Sequence, residues 1–266
     1  MTGLQRCESQ SVVGLLLAGF DAVDLDALNN RAPLLVRRDS KYVLTTPQLC
    51  QFLIYAQGFF DVLQIGDLRQ FEYRTVYFDS DAFHCYHDHN KGRRKRVKIR
   101  YRNYVDHDRH FFEIKLKGRR NVTKKHRVAV APPDYAASDL PEPLRRFCDE
   151  TIAGYYGDGW EHGLTRGVSV HYHRMTLVAK GGAERITVDS RLSFSDGEQS
   201  VSLRDSKWVV EVKSHSGASD VDRWLFANGS RPVPQCSKYC MAISLLKLPH
   251  KNNRFMPILR RHFKYV

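Results

Sequence analysis

The chain has 266 residues, enough to bury a full core as one large domain or two small ones. Lys and Arg outnumber Asp and Glu by 13 (42 against 29), and the stretch 91–127 alone holds 16 basic and 3 acidic residues, the same excess. The remainder is formally neutral, which excludes a uniformly basic surface and points to a local anion site.

The first apolar run, "VVGLLLAGF" (12–20), is too short to cross a bilayer and lacks the basic lead and small-residue cleavage site of a signal peptide. The six cysteines follow no framework of spacings, which suits reduced thiols and a cytoplasmic setting. "TTPQLCQFLIYAQGFFDVLQIG" (45–66) predicts a helix, with Thr45 or Thr46 as cap, Pro47 in the first turn and an apolar stripe of Leu49, Phe52, Leu53, Ala56 and Phe60. "FEYRTVYFD" (71–79) reads as a strand, and "FHCYHDHN" (83–90) as a polar turn whose histidines are not expected to hold a metal. "RVKIRYRNY" (96–104) and "HFFEIKLKG" (110–118) are strands joined by a short loop. A helix is expected over 141–156, strands over 168–179, 184–194 and 207–214, and helices over 219–229 and 237–248. The basic tail 250–266 is expected to be a solvated end. Many antiparallel strands with a few helices make an α+β protein, read as one domain over 1–266 with a lead-in over 1–36.

Side chains two apart in a strand share a face. Lys98, Arg100 and Arg102 therefore oppose Val97, Ile99 and Tyr101, while Glu113, Lys115 and Lys117 oppose Phe112, Ile114 and Leu116. Glu211 and Lys213 share a face against Val210 and Val212, and Arg185, Thr187 and Asp189 one against Ile186 and Val188. If 96–104 and 110–118 pair, like charges meet directly, which is destabilising unless an anion fills the array. Nucleic acid across an open basic sheet is one way to fill it. The other is a sheet closed into a barrel, charges inside, around a phosphate chain. The aromatic residues Tyr101 and Phe112 fall opposite the charges, which argues against base stacking and specific nucleic-acid binding.

At these residues the sequence resembles the VTC domain, the polyphosphate polymerase domain of the vacuolar transporter chaperone family, within the triphosphate tunnel metalloenzyme superfamily. "FDAVDLDALNNRAPLLVRRDSKYVLT" (20–45) is similar to the entry segment of bacterial members, and "YRTVYFDSDAFHCYHDHNKGRRKRVKIRYRNY" (73–104) to the strand, turn and basic strand that follow. "FFEIKLKG", "VTKKHRV", "VHYHRMTL", "ERITVDSRL", "WVVEVKS" and "VPQCSKYCMA" continue in the family's order over nearly the whole chain.

The resemblance implies a closed antiparallel β-barrel, a tunnel with flanking helices, that holds triphosphate or polyphosphate with Mn²⁺ or Mg²⁺. Lys41 matches the entry-motif lysine, Lys98 and Arg100 the paired cations of the Arg-x-Arg strand, and Lys115 that of the Glu-x-Lys strand. Arg174 matches the Tyr-x-Arg arginine and Arg185 the one opening the Arg-Ile strand; these six are the candidate catalytic residues. Lys125, Arg127, Lys213, Ser237 and Lys238 are candidate phosphate ligands, and Glu211 the metal ligand, with Glu113 as a second candidate. Superfamily hydrolases often open with Glu-x-Glu-x-Lys. Arg37-x-Asp39-x-Lys41 keeps one acid, which argues against a hydrolase-type two-metal site.

The implied activity is a phosphotransferase moving the terminal phosphoryl group of ATP onto polyphosphate, and it admits a membrane-protein partner. A triphosphatase or polyphosphatase, and a non-catalytic polyphosphate or inositol-phosphate binder, remain alternatives.

Overall fold

The computed structural model describes residues 3–32, 38–118, 122–133, 137, 139–182, 184–215, 219–234, 236–247 and 251–264. Arg37 of the entry motif, with the rest of 33–37, lies outside them, as do His250, Tyr265 and Val266 of the tail. Helix α1 (Gly3–Ala18) carries the first apolar run and buries Val13 and Leu17. A short β1 (Ala22–Val23) leads to α2 (Leu25–Arg31), where the Asp24 carboxylate accepts the Ala27 N–H at 2.7 Å. Strand β2 (Arg38–Thr45) runs directly into α3 (Thr46–Ala56), which Thr45 and Gln48 close with a capping box.

Helix α3 stops at Ala56, so the helix predicted over 45–66 is too long. Phe60–Leu63 forms β3, buried throughout and paired with β1. A four-residue strand covered on both faces shows no alternation, and Phe60 fell in step with the helical stripe.

After β4 (Phe71–Asp79), the expected polar turn is a helix, α4 (His84–Lys91). The buried Asp79 carboxylate accepts the Cys85 and Tyr86 N–H groups at 2.8 and 3.0 Å, placing a negative charge at the helix start. Gly92, at φ 70°, ends it in the left-handed region that favours glycine. The predicted hairpin follows as β5 (Arg96–Tyr104) and β6 (Arg109–Lys117), then β7 (Thr123–Val130) and α5 (Glu142–Tyr156). Long β8 (Thr165–Ala179) and β9 (Glu184–Ser195), short β10 (Ser200–Ser202) and β11 (Lys207–Ser214) complete the strands. Helices α6 (Asp220–Ala227), α7 (Lys238–Leu246) and α8 (Met256–His262) end the chain.

The strands make one sheet, whose main path is β2-β11-β9-β8-β4-β5-β6-β7 with every neighbour antiparallel. Helices cover its apolar side, as the alternation predicts. Val13, Leu53 and Val221 of α1, α3 and α6 pack with Tyr42, Trp208, Val210, Ile186 and Leu177. Cys148 and Ile152 of α5, with residues of α4, α7 and α8, join the cluster holding Val97, Ile99, Phe112 and Ile114. Register irregularities at Val76/Phe78 and His171/His173 accompany the curl of the middle strands.

Two expectations are corrected. The barrel is not closed by hydrogen bonds: among the described residues, the end strands β2 and β7 do not pair. The free edge of β2 is instead met at the Lys41 carbonyl by the Val233 N–H, 2.6 Å away, from the segment that leads into α7. The tail is not a solvated end over its described part. Phe255, Ile258, Leu259 and Phe263 are buried, and Phe263 stacks on Phe194 at 5.2 Å, because these apolar residues share one helical face among the cations.

Candidate functional site

Cross-strand register sets the ionic residues in rows across the inner side of the sheet. Lys98, Lys115 and Lys125 stand in line on β5, β6 and β7, and Tyr77, Arg100, Glu113 and Arg127 form the next row. On the other wall Lys41 faces Glu211, and Glu211 faces Thr187; Asp39, Lys213 and Arg185 make the adjoining row. The sheet curls so that these walls feel each other. Lys213 on β11 depresses the basicity of Lys115 on β6, and Lys41 on β2 that of Lys98 on β5, although each pair is far apart in strand order.

Three carboxylates sit among the cations. Arg100 forks the Glu113 carboxylate with Nε at 2.9 Å and Nη2 at 2.6 Å, and Lys125 donates to its other oxygen at 2.9 Å. Burial opposes the Glu113 charge, but Arg100, Arg102 and Lys125 outweigh it and hold the carboxyl well below its usual range. Arg174 forks Asp189 at 2.6 and 2.9 Å, and Lys238 adds a third bond. Burial is again outweighed by these partners, and Asp189 falls to about 2. Glu211 lies 3.4 Å from Lys41 and 3.3 Å from Lys213, and they hold it well below the ordinary value against burial. Lys41 shows the reciprocal effect: burial disfavours its charge, Glu211 more than compensates, and its pKa is raised.

The lysine row is less well balanced. Arg100, then burial, then Arg102 hold the Lys115 ammonium well below its ordinary range. Burial does the same, more mildly, to Lys98. Helix α7 starts inside this wall. Ser237 caps it, accepting the Cys240 N–H at 3.4 Å, and its hydroxyl also accepts Lys98 Nζ at 3.1 Å. Ser237 and Lys238 thus join β5 to β9 across the inner side of the sheet at the start of α7, an end whose dipole favours an anion.

Tyrosines that the sequence reading passed over complete the lining. The Tyr77 hydroxyl accepts Arg100 Nη1 at 3.1 Å, and the Tyr172 hydroxyl accepts Arg102 Nη2 at 3.2 Å. Tyr73 stacks on Tyr172 at 5.1 Å, with the Arg174 guanidinium over both rings at 5.4 and 5.1 Å. The charged side therefore does carry aromatic rings, contrary to the expectation from β5 and β6. They are buried and packed against guanidinium groups and each other, not presented to a base. Their signal was present in "FEYRTVYFD" and "VHYHRMTL", where Tyr73 and Tyr77 fall on one alternate series and Tyr172 shares its series with Arg174.

Two predicted residues stand apart. Arg185 donates Nη2 to the carbonyls of Leu28 and Ala32 at 3.1 and 2.7 Å, so it ties down the end of α2. Arg127 is exposed at the rim, over the Phe111 ring at 4.8 Å.

The donor set limits how a metal can be held. Among the described residues no three His, Cys, Asp or Glu groups converge. Glu113 is committed to Arg100 and Lys125, which removes it as a ligand; Asp189 is likewise committed. Glu211, with looser lysine contacts, is available. One carboxylate fits a hard divalent cation that arrives with phosphate oxygens and keeps water, not an all-protein cage. The histidines of α4 diverge: His84 stacks on His162 at 3.5 Å and His89 bonds the Cys85 carbonyl of its own helix.

A family model described as the VTC domain matches residues 36–247. No curated protein matches the chain. Among solved structures, a putative adenylyl cyclase from Hippeastrum, described as having a dominant triphosphatase activity, is 15% identical over 81% of this chain and 100% of its own, at a TM-score of 0.42. PH1012 from Pyrococcus horikoshii OT3 is 11% identical over 73% of this chain and 87% of its own (TM-score 0.39). A putative adenylate cyclase from Vibrio parahaemolyticus is 9% identical over 73% and 83% (TM-score 0.38).

Proposed function

The chain belongs to the VTC domain family, and from that premise we propose that it is a metal-dependent phosphotransferase that elongates polyphosphate from ATP inside the basic bore. The observation that carries this reading is the line Lys98–Lys115–Lys125 with Lys213 across from it, a same-sign array that a linear polyanion would neutralise.

Phosphoryl transfer needs positioning and charge neutralisation more than covalent chemistry. Lys98, Lys115 and Lys125 would line the chain, and Arg100 and Arg174, pre-set by Glu113 and Asp189, would face the equatorial oxygens of the moving group. Ser237, Lys238 and Lys213 complete the cradle. Mn²⁺ or Mg²⁺ on Glu211 would supply Lewis-acid polarisation of phosphate oxygens. A terminal oxygen of the chain forms the new bond to the γ-phosphorus, the bond from that phosphorus to the β–γ bridging oxygen breaks, and ADP leaves.

The acceptor oxygen is already ionised, so no strong base is required. This agrees with the carboxylates present: Glu113 and Asp189 are tied to cations and held at low pKa, which makes them poor bases for activating water. That supports transfer over hydrolysis.

The test is incubation with ATP and Mn²⁺, with gels for long phosphate chains and a parallel assay of free phosphate. Chains accompanied by ADP are expected. Free phosphate alone would move the reading to a triphosphatase. Neither product, with polyphosphate still bound, would leave a binding module. No helix among the described residues is long and apolar enough to cross a membrane.

A further inference from the structure

One cation on the inner side of the sheet is less completely paired than its neighbours. Arg100 and Arg174 each fork a carboxylate. Arg102, two residues beyond Arg100 on the same face of β5, does not. It donates Nη2 to the Tyr172 hydroxyl at 3.2 Å, and its Nη1 stands 3.9 Å from a Glu113 oxygen that already accepts Arg100. Its Nε is buried with no acceptor among the described residues, and the side chain as a whole is 11% exposed. A guanidinium carries five N–H donors in a planar fork, so a nearly buried one with a single neutral acceptor leaves donors and charge for a ligand. The surroundings of Arg102 narrow the kind of ligand. On β5 the inner cations run Lys98, Arg100, Arg102, and Tyr104 follows them. In the row of Arg102 the neighbours are Thr75 and Phe111. In the next row Tyr104, Tyr73 and Tyr172 stand side by side on β5, β4 and β8, with ring centroids 5.0 and 5.1 Å apart. The cationic track of this strand therefore ends at Arg102, against packed rings.

We propose that Arg102 seats the terminal phosphoryl group of a linear phosphate chain, so that the bore discriminates a chain end from a chain interior. The proposal rests on reading the bore as a polyphosphate site. A chain laid along the track meets the tyrosine row with its end. A terminal phosphoryl group offers three non-bridging oxygens and about −1.5 to −2 of charge at pH 7, whereas an interior one offers two oxygens and about −1. The fork of a guanidinium fits the richer group, while lysines act as point charges that serve interior phosphates without preference. Arg102 is also placed beside the reacting centre: its guanidinium lies 5.7 Å from the Tyr73 ring centroid, and that of Arg174 lies 5.4 Å from the same centroid. A terminal group held there lies next to the guanidinium groups that would face the moving phosphoryl.

The test compares linear tripolyphosphate with cyclic trimetaphosphate, which has as many phosphorus atoms and no terminal group, by calorimetric titration of the full chain without metal. Arg102→Gln is expected to weaken tripolyphosphate by about ten- to hundredfold, the worth of a charged hydrogen bond, and trimetaphosphate by less than about threefold. Arg102→Lys keeps the charge and loses the fork, and should weaken tripolyphosphate alone, by about three- to tenfold. It carries the comparison if the glutamine variant does not fold. Lys115→Met, in the lysine row, should weaken both ligands alike. Equal weakening of both by the Arg102 variants would make Arg102 a general source of charge, and no weakening of either would make it a packing partner of Tyr172. Each of these overturns the proposal and leaves the polyphosphate reading standing. A parent protein that binds neither ligand ends that reading itself, and the terminal seat with it.

Discussion

The two walls of the bore handle the same electrostatic problem differently. On the wall of β2, β11 and β9, acids and bases alternate: Glu211 stands between Lys41 and Lys213, and Asp189 between Arg174 and Lys238. On the wall of β5, β6 and β7, Glu113 is shared by Arg100, Arg102 and Lys125, and the lysine row is left in excess. The first wall sets four cations on two carboxylates and is the more nearly balanced; the second sets five on one and keeps the larger excess. The difference is written in the ammonium groups: Lys41 is raised by its carboxylate partner, while Lys115 is held well below its ordinary value by cations and burial. A wall that is balanced in the free protein can hold a metal and set geometry. A wall that is unbalanced stores the driving force for binding.

The largest effect that would break this contrast is at the balanced wall. Glu211→Gln removes the carboxylate proposed to hold the metal, and phosphoryl transfer should fall by about 10²–10³-fold, as when a charge-stabilising group is lost from a transition state. Polyphosphate affinity should hold or rise, because Lys41 and Lys213 are released to the ligand. Elongation rate and anisotropy titration on the same sample separate the two. Equal loss of both would show that the walls do not divide the labour.

At the unbalanced wall the signs reverse. Lys115→Met keeps length while removing a charge crowded by Arg100, Arg102 and Lys213. The free protein should melt higher, and polyphosphate binding should weaken by ~1.5–3 kcal/mol, the worth of a charged hydrogen bond, or about ten- to hundredfold. Calorimetry and titration check both. A variant less stable than its parent would mean that Lys115 is compensated by a partner in the free protein.

The same lysine gives a pH signature. Its folded pKa lies below the ordinary lysine value of 10.5. Between those two values the unfolded chain binds more protons than the folded one, so stability of the free protein should rise with pH across that interval. Below the depressed pKa both forms are protonated, and the penalty from Lys115 stays constant. A bound polyphosphate raises that pKa again, so binding takes up protons within the interval and weakens as pH rises through it. Isothermal titration in buffers of different ionisation heat reads the uptake directly. A heat independent of buffer would remove Lys115 from the ligand's surroundings.

How much of this could be seen beforehand follows from the range of each signal. Period-two alternation is local, so the strands bearing Lys98, Lys115 and Glu211, and the pairing of β5 with β6, were legible. The short β3 was not, because Phe60–Leu63 is buried on both faces and has no period to read. Helix α4 was hidden because what starts it, the Asp79 carboxylate, lies outside its own residues. The capture of Glu113 depends on register with β7 as well as β5, which alternation within one strand does not set, and the tyrosine lining depends on β4 meeting β8, a strand far along the chain. Closure is the least local property of all. Nothing in residues 38–45 or 123–130 announces whether those two strands meet; the resemblance supplied the tunnel-like sheet and its flanking helices correctly and went too far only in closing it by hydrogen bonds, which the described residues do not do.

Arg185 offers the smallest and sharpest test of the division between walls. By motif it is the sibling of Arg174, and both were expected to hold phosphate. Arg174 is forked onto Asp189 and lies over Tyr73 and Tyr172, inside the lining. Arg185, four residues before Asp189 on the same strand, spends its guanidinium on the last carbonyls of α2. A cation at a helix C-terminus contributes ~0.3–1 kcal/mol. Arg185→Lys should therefore cost no more than about that in stability, and polyphosphate affinity should change less than about twofold, since a single ammonium can still reach one carbonyl and the charge in the row with Lys213 is kept. Arg174→Lys, measured beside it, should lose the fork to Asp189 and with it the set position of one lining cation. Transfer should then slow by about tenfold with little change in melting temperature. If the two substitutions instead weaken polyphosphate binding alike, the guanidinium of Arg185 turns into the bore when a ligand arrives, and α2 releases it.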